Sequence, residues 1–364
     1  MANLLARIFN RTTEPRFVDV LPTGDKFSVE PNQTLLQGAL SAGIPLPHDC
    51  RVGTCATCKC RLVEGKVKSI MDFSYTLNTE EIEQGYILAC QTIVKSNLTI
   101  LIDPSSEGPH HTVKSVNGVI RKSETLTHDI LKIRIELDES ISYEAGQYAD
   151  LSVPGIKEPR SYSFADAPKK QGQTEISFFI RRVPNGEMTG WLNAADRTGE
   201  KVTVTGPYGS FYLRPSVQPI VCMAGGSGLA PIKAILEQAA KQGGDIPVLL
   251  LFGARTQGDL YCLDIIAEIA SSWNAPFHFI PVLSEEPMES DWIGARGLVT
   301  EHIKDHPGIQ VPFSKAYLCG PPGMIDAAIN KLNECGVTAD QIFFDKFLDR
   351  SHVQKTIKAD RLHK

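Results

Sequence analysis

No stretch of the 364-residue chain approaches the roughly 20 consecutive apolar residues that a membrane-spanning helix needs. No run of basic residues occurs either, and 37 Lys and Arg against 42 Asp and Glu leave a formal charge of −5. The electrostatic footprint of a nucleic-acid binder is therefore not expected. The first residues carry no long apolar core followed by a cleavage site, so a cytoplasmic protein is the expectation. Internal repeats are absent. What remains is an ordinary globular composition, 42% hydrophobic, in a chain too long for one core, which points to two or three domains.

Nine cysteines stand out: Cys50, Cys55, Cys58, Cys60, Cys90, Cys222, Cys262, Cys319 and Cys335. Their number is odd and no export signal accompanies them, so a disulfide framework is not expected. Four fall within the eleven residues from Cys50 to Cys60, which points to metal. Cys50, Cys55 and Cys58 have C-x4-C-x2-C spacing, and Cys90 follows after thirty-one residues. Four thiolates at this spacing suit a plant-type 2Fe–2S cluster. Gly53 and Ala56 are small enough to let backbone N–H groups turn toward the sulfides, where such hydrogen bonds tune the potential. The competing reading is a four-cysteine zinc site. Zinc knuckles use two short cysteine pairs, whereas here three ligands share one loop and the fourth stands alone. Cys60, on a strand-like run, reads as a buried thiol, as do Cys222, Cys262 and Cys335.

Three compositional blocks cover residues 14–103, 112–213 and 217–348. The first offers a strand pair (Phe17–Leu21 and Lys26–Val29), a helix from Thr34 to Ala42, the cysteine loop, a strand around Cys60–Val63, a polar excursion and a last strand near Leu98–Ile102. The turn-rich stretch Pro104–His111 reads as a linker. The second block alternates apolar and polar residues in short runs such as Ile130–Leu137 and Glu175–Arg181, the pattern of an antiparallel barrel or sandwich. In the third, apolar strands recur at Ile220–Ala224, Pro247–Phe252, Phe277–Leu283, Ala316–Cys319 and Gln341–Phe344. Helix-like segments at Pro231–Gln242, Asp259–Ser272, Gly297–Ile303 and Pro322–Glu334 lie between them, which predicts a parallel sheet covered on both faces. The charged tail from Asp349 to Lys364 has no evident core positions.

Six short motifs carry the chemistry of the second and third blocks. Arg160-Ser-Tyr-Ser163 ends a short segment after Pro159, and Gly186-Glu-Met188-Thr189 follows the apolar run Phe178–Ile180. Gly206-Pro-Tyr-Gly-Ser-Phe211 reads equally well as a tight turn. Gly225-Gly226-Ser227-Gly228-Leu-Ala-Pro231 joins an apolar strand to a helix, and such a glycine-rich turn lets backbone approach a pyrophosphate at the helix N-terminus. Pro231 is expected at a first helical position, where its missing N–H costs nothing. The true G-x-G-x-x-G fingerprint is absent, and no acidic residue ends the next strand, Val248–Phe252. A second strand-to-helix turn is Leu318-Cys319-Gly320-Pro321-Pro322-Gly323, and the last strand ends Phe344-Asp345-Lys-Phe347.

On these residues the first block resembles plant-type ferredoxins. The whole chain, from about Phe17 to Phe347, resembles the ferredoxin–flavin–nicotinamide reductase components of bacterial multicomponent oxygenases. The resemblance implies an α/β multidomain protein: a β-grasp-like 2Fe–2S ferredoxin domain, an antiparallel β-barrel flavin domain and a parallel-sheet α/β nucleotide-binding domain. It implies that Arg160 pairs with the FAD pyrophosphate, Tyr162 stacks on the isoalloxazine and Ser163 hydrogen-bonds flavin N5. Gly186, Met188 and Thr189 match the second phosphate element. Gly225, Gly226, Ser227 and Gly228 match the nucleotide loop. Cys319, Gly320 and Pro321 match the turn beside the nicotinamide ring. Asp345 and Phe347 match the acidic residue and the aromatic that covers the flavin, with Asp where relatives often carry Glu. Seventeen residues follow Phe347, a departure from reductases that end at the aromatic.

The implied function is an electron relay from NADH through FAD and the 2Fe–2S cluster to the terminal iron component of an oxygenase or desaturase. A flavin reductase acting directly on a small organic substrate such as a sugar-nucleotide intermediate, and a redox-sensing protein, are the alternatives. NADH is favoured over NADPH because Arg255 and Thr256 alone, after the second strand, are thin support for a 2′-phosphate site. At the N-terminus, Leu4, Leu5, Ile8 and Phe9 are spaced as one helical stripe with Arg7 and Arg11 beside it. This suits a helix packed on the first domain or a weak contact with a membrane surface.

Overall fold

The computed structural model describes residues 14–44, 46–48, 51, 53, 56–102 and 111–347. The N-terminal stripe and the charged tail lie outside these residues. The chain forms two compact units, residues 1–110 and 111–364.

In the first unit the elements run β1 (Arg16–Leu21), β2 (Lys26–Val29), α1 (Leu35–Ser41), β3 (Lys59–Glu64), β4 (Val67–Ser69), α2 (Thr79–Glu83), β5 (Tyr86–Leu88), β6 (Thr92–Val94) and β7 (Leu98–Leu101). Five strands make one mixed sheet in the order β2-β1-β7-β3-β5, with β1 and β7 parallel. Helix α1 starts where Thr34 accepts a hydrogen bond from the Gln37 N–H at 3.1 Å and Gln37 reciprocates at 2.9 Å. This capping box satisfies two amides that the first turn leaves free. The helix buries Leu35, Leu36 and Ala39 against Val18, Val20, Val29 and Ile100. Gly38 permits that close approach, because a Cβ there would stand 2.5 Å from Val29 Cγ2. A helix lying on a mixed sheet in this way is the β-grasp-like arrangement. The polar excursion after Glu64 holds α2, the small β4–β6 ribbon and β5. Its short apolar runs gave no periodic signal.

The second unit opens with β8 (Lys114–Thr125), β9 (Ile130–Ile141), β10 (Tyr148–Ser152), β11 (Arg160–Ser163), β12 (Gln173–Arg181), α3 (Glu187–Ala194) and β13 (Lys201–Tyr208). The strands pair antiparallel in the order β11-β10-β13-β8-β9-β12. A bridge between Phe164 and Phe178 ties the two outer strands together and curls the sheet toward a barrel. Period-two alternation sends Ile176, Phe178 and Ile180 of β12 into the barrel core with Ile133 and Ile135 of β9. Phe179 points the other way and joins a second core.

That second core belongs to a parallel sheet. Its elements are β14 (Ile220–Gly225), α4 (Leu229–Lys241), β15 (Val248–Ala254), α5 (Leu263–Ser271), β16 (Phe277–Leu283), β17 (Ala295–Arg296), β18 (Lys315–Gly320), α6 (Pro322–Glu334) and β19 (Ile342–Lys346). The order is β17-β16-β15-β14-β18-β19, all neighbours parallel. Cys222 and Ala224 face Ile232, Ile235 and Ile266 of α4 and α5, while Val221 and Met223 face Ile325 and Leu332 of α6. Strands buried on both faces read as continuous apolar runs, which is why this sheet was legible. Strand order reverses at β14 and β18, so the crevice at their carboxyl ends is the switch point where open α/β sheets bind ligands.

Two local expectations are corrected. Gly297–Ile303 is no helix but a single 3₁₀ turn, Val299–His302, between extended residues Leu298 and Ile303, too few positions to nucleate an α-helix. Pro231 is the third residue of α4, not the first, and still lies within the opening turn whose amides have no partner in the helix.

Candidate functional site

The cysteine loop turns through the left-handed region at three of its described residues. Arg51, Gly53 and Ala56 all take positive φ values, 56°, 84° and 58°. Left-handed residues of this kind recur in backbone loops whose N–H groups bind anions, which suits a negatively charged cluster. Gly53 is tightly surrounded, since a Cβ would meet Met71 Sδ at 2.5 Å and Gln91 Cγ at 2.7 Å. Cys58 and Cys90 are buried with their sulfurs 3.2 Å apart. The Cys90 N–H points at Cys58 Sγ from 3.5 Å and Gln91 Nε2 at Cys90 Sγ from 3.8 Å, donors of the type that tune a cluster. Cys50 and Cys55 lie outside the described residues. Cys60 faces the domain core, and burial pushes its thiol pKa far up, so it stays a thiol.

In the barrel, β11 presents Arg160, Tyr162 and Ser163. Arg160 Nη1 donates to the carbonyls of Glu158 and Pro159 at 2.9 and 3.0 Å, and its Nη2 stands 4.0 Å from the Glu187 carboxylate. Glu187 is the first residue of α3, so the strand motif and the Gly186–Thr189 motif come together at one helix N-terminus. Gly186 packs so tightly that a Cβ would meet Thr189 Oγ1 at 2.5 Å. Two of these residues face inward: Met188 is buried in the barrel core, and the Thr189 hydroxyl accepts from the Val183 N–H at 3.1 Å. What this helix start offers a ligand is its backbone. The Tyr162 ring tilts against Phe178 at 6.3 Å, and burial pushes its phenol up despite the opposing charge of Arg160.

The two glycine-rich turns of the parallel sheet meet at its switch point. A Cβ on Gly228 would lie 2.3 Å from the Cys319 carbonyl oxygen, so only glycine fits. Gly226 adopts φ 55° and Gly320 φ 150°, conformations that favour glycine. Ser227 is buried, and the Tyr261 hydroxyl donates to the Gly226 carbonyl at 2.8 Å. Cys319 is fully buried, and burial together with the neighbouring Asp345 carboxylate raises its pKa well above the ordinary value. It is therefore a neutral thiol near neutral pH. Asp345 lies opposite Cys319 in the β18–β19 register, and the Phe347 N–H donates to the Gly320 carbonyl at 2.9 Å. The Ser163 hydroxyl reaches the Asp345 carboxylate at 3.5 Å, so the barrel motif and the last strand share one place.

A cavity of about 300 Å³ opens beside these turns, lined by Gly225, Gly226, Pro321 and Met324 at one end and by Arg255 and Asp259 at the other. Asp129 and Arg181 of the barrel line it too. These two, with Asp259, Tyr261 and Lys233, were not singled out in the sequence. Lys233 left a signal: a lysine amid the apolar helix run Leu229–Leu236 with Glu237 one turn on. Its ammonium, 2% exposed, pairs with Asp166 at 3.2 Å and Glu237 at 2.6 Å and ties α4 to the barrel.

Comparison with known proteins gives three family matches. Residues 18–95 match the 2Fe-2S iron-sulfur cluster binding domain, 117–212 the oxidoreductase FAD-binding domain and 222–330 the oxidoreductase NAD-binding domain. The chain is 42% identical over 333 residues to the xylene/toluene monooxygenase electron transfer component of Pseudomonas putida, covering 92% of this chain and 94% of that one. It is 34% identical to the phenol 2-monooxygenase reductase component of Pseudomonas sp. strain CF600, covering 91% and 94%. Among solved structures, the cytochrome P450 reductase of Amycolatopsis superposes with a TM-score of 0.78 at 32% identity, covering 91% and 98%. The cysteine loop, the two glycine turns and the strand motif thus sit in a scaffold whose relatives are electron-transfer proteins, and the chain belongs to the family of 2Fe–2S, FAD- and NAD-binding reductase components of multicomponent oxygenases.

Proposed function

We propose that the chain takes electrons from NADH, in preference to NADPH, and delivers them singly to the terminal iron component of a hydrocarbon-oxidising monooxygenase. The observation that carries this reading is the convergence of Gly228, Cys319, Ser163 and Asp345 at the switch point of the parallel sheet. FAD, when bound, supplies the exchange between a two-electron donor and a one-electron cluster. The protein's own work is holding and shielding. Arg160 and the amides opening α3, at Gly186, Met188 and Thr189, suit a pyrophosphate. Tyr162 offers a stacking face, and the Ser163 hydroxyl a donor for flavin N5. The turns Gly225–Gly228 and Cys319–Pro321 suit the dinucleotide, with the uncharged Cys319 thiol beside the nicotinamide and Phe347 over the flavin face. Cys50, Cys55, Cys58 and Cys90 would hold the cluster, and their spacing, three ligands in one loop and a fourth alone, suits it better than zinc.

The relatives' names support this partner, since they specify the electron transfer component of a xylene/toluene monooxygenase and reductase components of phenol and propane monooxygenases. That favours a protein acceptor over a small organic substrate or a sensing role. Among the described residues no helix is long and apolar enough to cross a membrane. We place the activity in the cytoplasm, and liposome co-sedimentation with and without residues 1–12 decides whether the Leu4–Phe9 stripe contacts a membrane surface or serves the first domain. The functional test is anaerobic mixing with NADH and a purified terminal component. Reduction of that component only when this chain is present supports the reading, and reduction of the flavin without electron delivery opposes it.

A further inference from the structure

The cavity end formed by Arg255 and Asp259 carries an arrangement that bears on nucleotide choice. Arg255 directly follows β15, the second strand of the parallel sheet by chain order, and Thr256 and Gln257 come next. A 2′-phosphate, carrying about −1.5 to −2 charges, would need free cationic and hydroxyl donors at such a position. The donors are present, but acidic groups hold them. Arg255 Nη2 donates to Asp259 Oδ1 at 3.1 Å and to Asp129 Oδ2 at 3.4 Å. The Thr256 hydroxyl and N–H both donate to Asp259 Oδ2, at 3.2 and 3.0 Å. Gln257 is held likewise, its N–H by Glu286 at 2.8 Å and its Nε2 by Glu286 and Asp291, both at 2.9 Å.

The carboxylates are firmly placed. Asp259 caps the 3₁₀ turn Gln257–Asp259 and is only 13% exposed. Asp129, on the barrel, also accepts from Arg181 Nε at 2.9 Å. Burial pushes its carboxyl up, but the Arg181 hydrogen bond and charge outweigh that and hold its pKa below the ordinary value, so it is ionised at neutral pH. Four carboxylates, Asp129, Asp259, Glu286 and Asp291, face three guanidinium groups, Arg181, Arg255 and Arg296, with His128 beside Asp129 and Asp259, so the carboxylates outnumber the guanidinium groups by one.

We infer that Asp259 and Asp129 set the preference for NADH, by holding the Arg255 guanidinium and the Thr256 hydroxyl away from a 2′-phosphate and opposing its charge. A ribose 2′-hydroxyl, a donor, meets acceptors there. The inference rests on the reading that this cleft receives the adenosine end of the dinucleotide.

The test compares the full-length holoprotein with Asp259→Asn, Asp129→Asn and the double variant Asp259→Asn/Arg255→Ala. Two quantities are read: calorimetric affinity for 2′,5′-ADP and 5′-AMP, and the ratio of kcat/KM for NADPH to that for NADH with ferricyanide as acceptor. Each single variant is expected to tighten 2′,5′-ADP relative to 5′-AMP by about tenfold, the scale of one like-charge contact removed near a surface, and to shift the kcat/KM ratio the same way. The double variant is expected to lose the gain. Asp129→Asn leaves the Thr256–Asp259 cap intact, so it decides the matter if Asp259→Asn does not fold. A wild-type protein that favours NADH while neither single variant moves either ratio overturns this inference alone, as does a gain that survives loss of Arg255. A wild-type protein that favours NADPH overturns the proposed NADH preference itself.

Discussion

The Ser163 hydroxyl and the Asp345 carboxylate stand 3.5 Å apart although 182 positions separate them in the chain. Ser163 ends β11 of the barrel and Asp345 lies near the end of β19, so the contact marks where the flavin-binding and nucleotide-binding halves meet. Replacing Ser163 by Ala is expected to slow flavin reduction by NADH about tenfold, the scale of one hydrogen bond. FAD content should stay full. Stopped-flow bleaching of the flavin measures this, and an unchanged rate would remove Ser163 from the proposed machinery.

Gly228 is the tightest point of the nucleotide turn. A methyl group there must displace the Cys319 carbonyl, which sits 2.3 Å from the added carbon. Gly228→Ala should cost about 1–3 kcal/mol of stability through overpacking and raise the KM for NADH. Thermal unfolding and steady-state kinetics with a dye acceptor check both. A variant with wild-type values would show that the two turns can separate freely.

Arg160→Ala is expected to loosen FAD by about 1.5–3 kcal/mol, the range for hydrogen bonds to a charged group. The FAD-to-protein ratio after dialysis reads the effect directly. Full occupancy in the variant would mean that the native guanidinium serves its present partners, the Glu158 and Pro159 carbonyls and the Glu158 and Glu187 carboxylates, rather than FAD.

Lys233→Met tests the buried tie between α4 and the barrel. Removing one member of a buried ion pair costs about 3–5 kcal/mol because the remaining charge stays desolvated. The same pairing makes stability pH-dependent. Burial pushes the Asp166 carboxyl up, yet the Lys233 charge and the Ser177 hydroxyl hold it below its ordinary value. A depressed carboxylate contributes stability above its unfolded pKa, about 3.9, and loses it as pH falls through the folded value. Burial lowers the Lys233 pKa while Asp166 and Glu237 raise it further, leaving it above 10.5. Its contribution is therefore full below the unfolded pKa and is lost as pH rises through the folded one. Urea unfolding between pH 3 and 7 should show an acid-side loss in the wild type that is shallower in Lys233→Met, and parallel curves would refute the tie.

Much of this organisation was legible because the elements repeat one simple pattern. Runs such as Ile220–Ala224 are apolar throughout because α4 and α6 cover both faces of β14. The cysteine spacing and the glycine turns were likewise visible as local strings. Residues such as Asp129, Arg181 and Asp259 were not. Each is an ordinary charge on a loop or strand end, and its meaning comes from partners up to 126 positions away. The Gly297–Ile303 stretch failed for the opposite reason, since its apolar spacing fits a helix but only one 3₁₀ turn forms between two extended residues.

In the proposed relay one chain carries electrons from NADH through flavin to the cluster. Anaerobic titration with NADH, followed by visible absorption and electron paramagnetic resonance, tests it most directly. Wild-type protein is expected to bleach its flavin and also to develop the signal of a reduced 2Fe–2S cluster. Cys90→Ser should bleach its flavin equally well, yet show no cluster signal and fail to reduce a terminal component. A wild-type protein whose flavin is reduced while its cluster stays oxidised, or a Cys90→Ser variant with an intact cluster signal, would contradict the account.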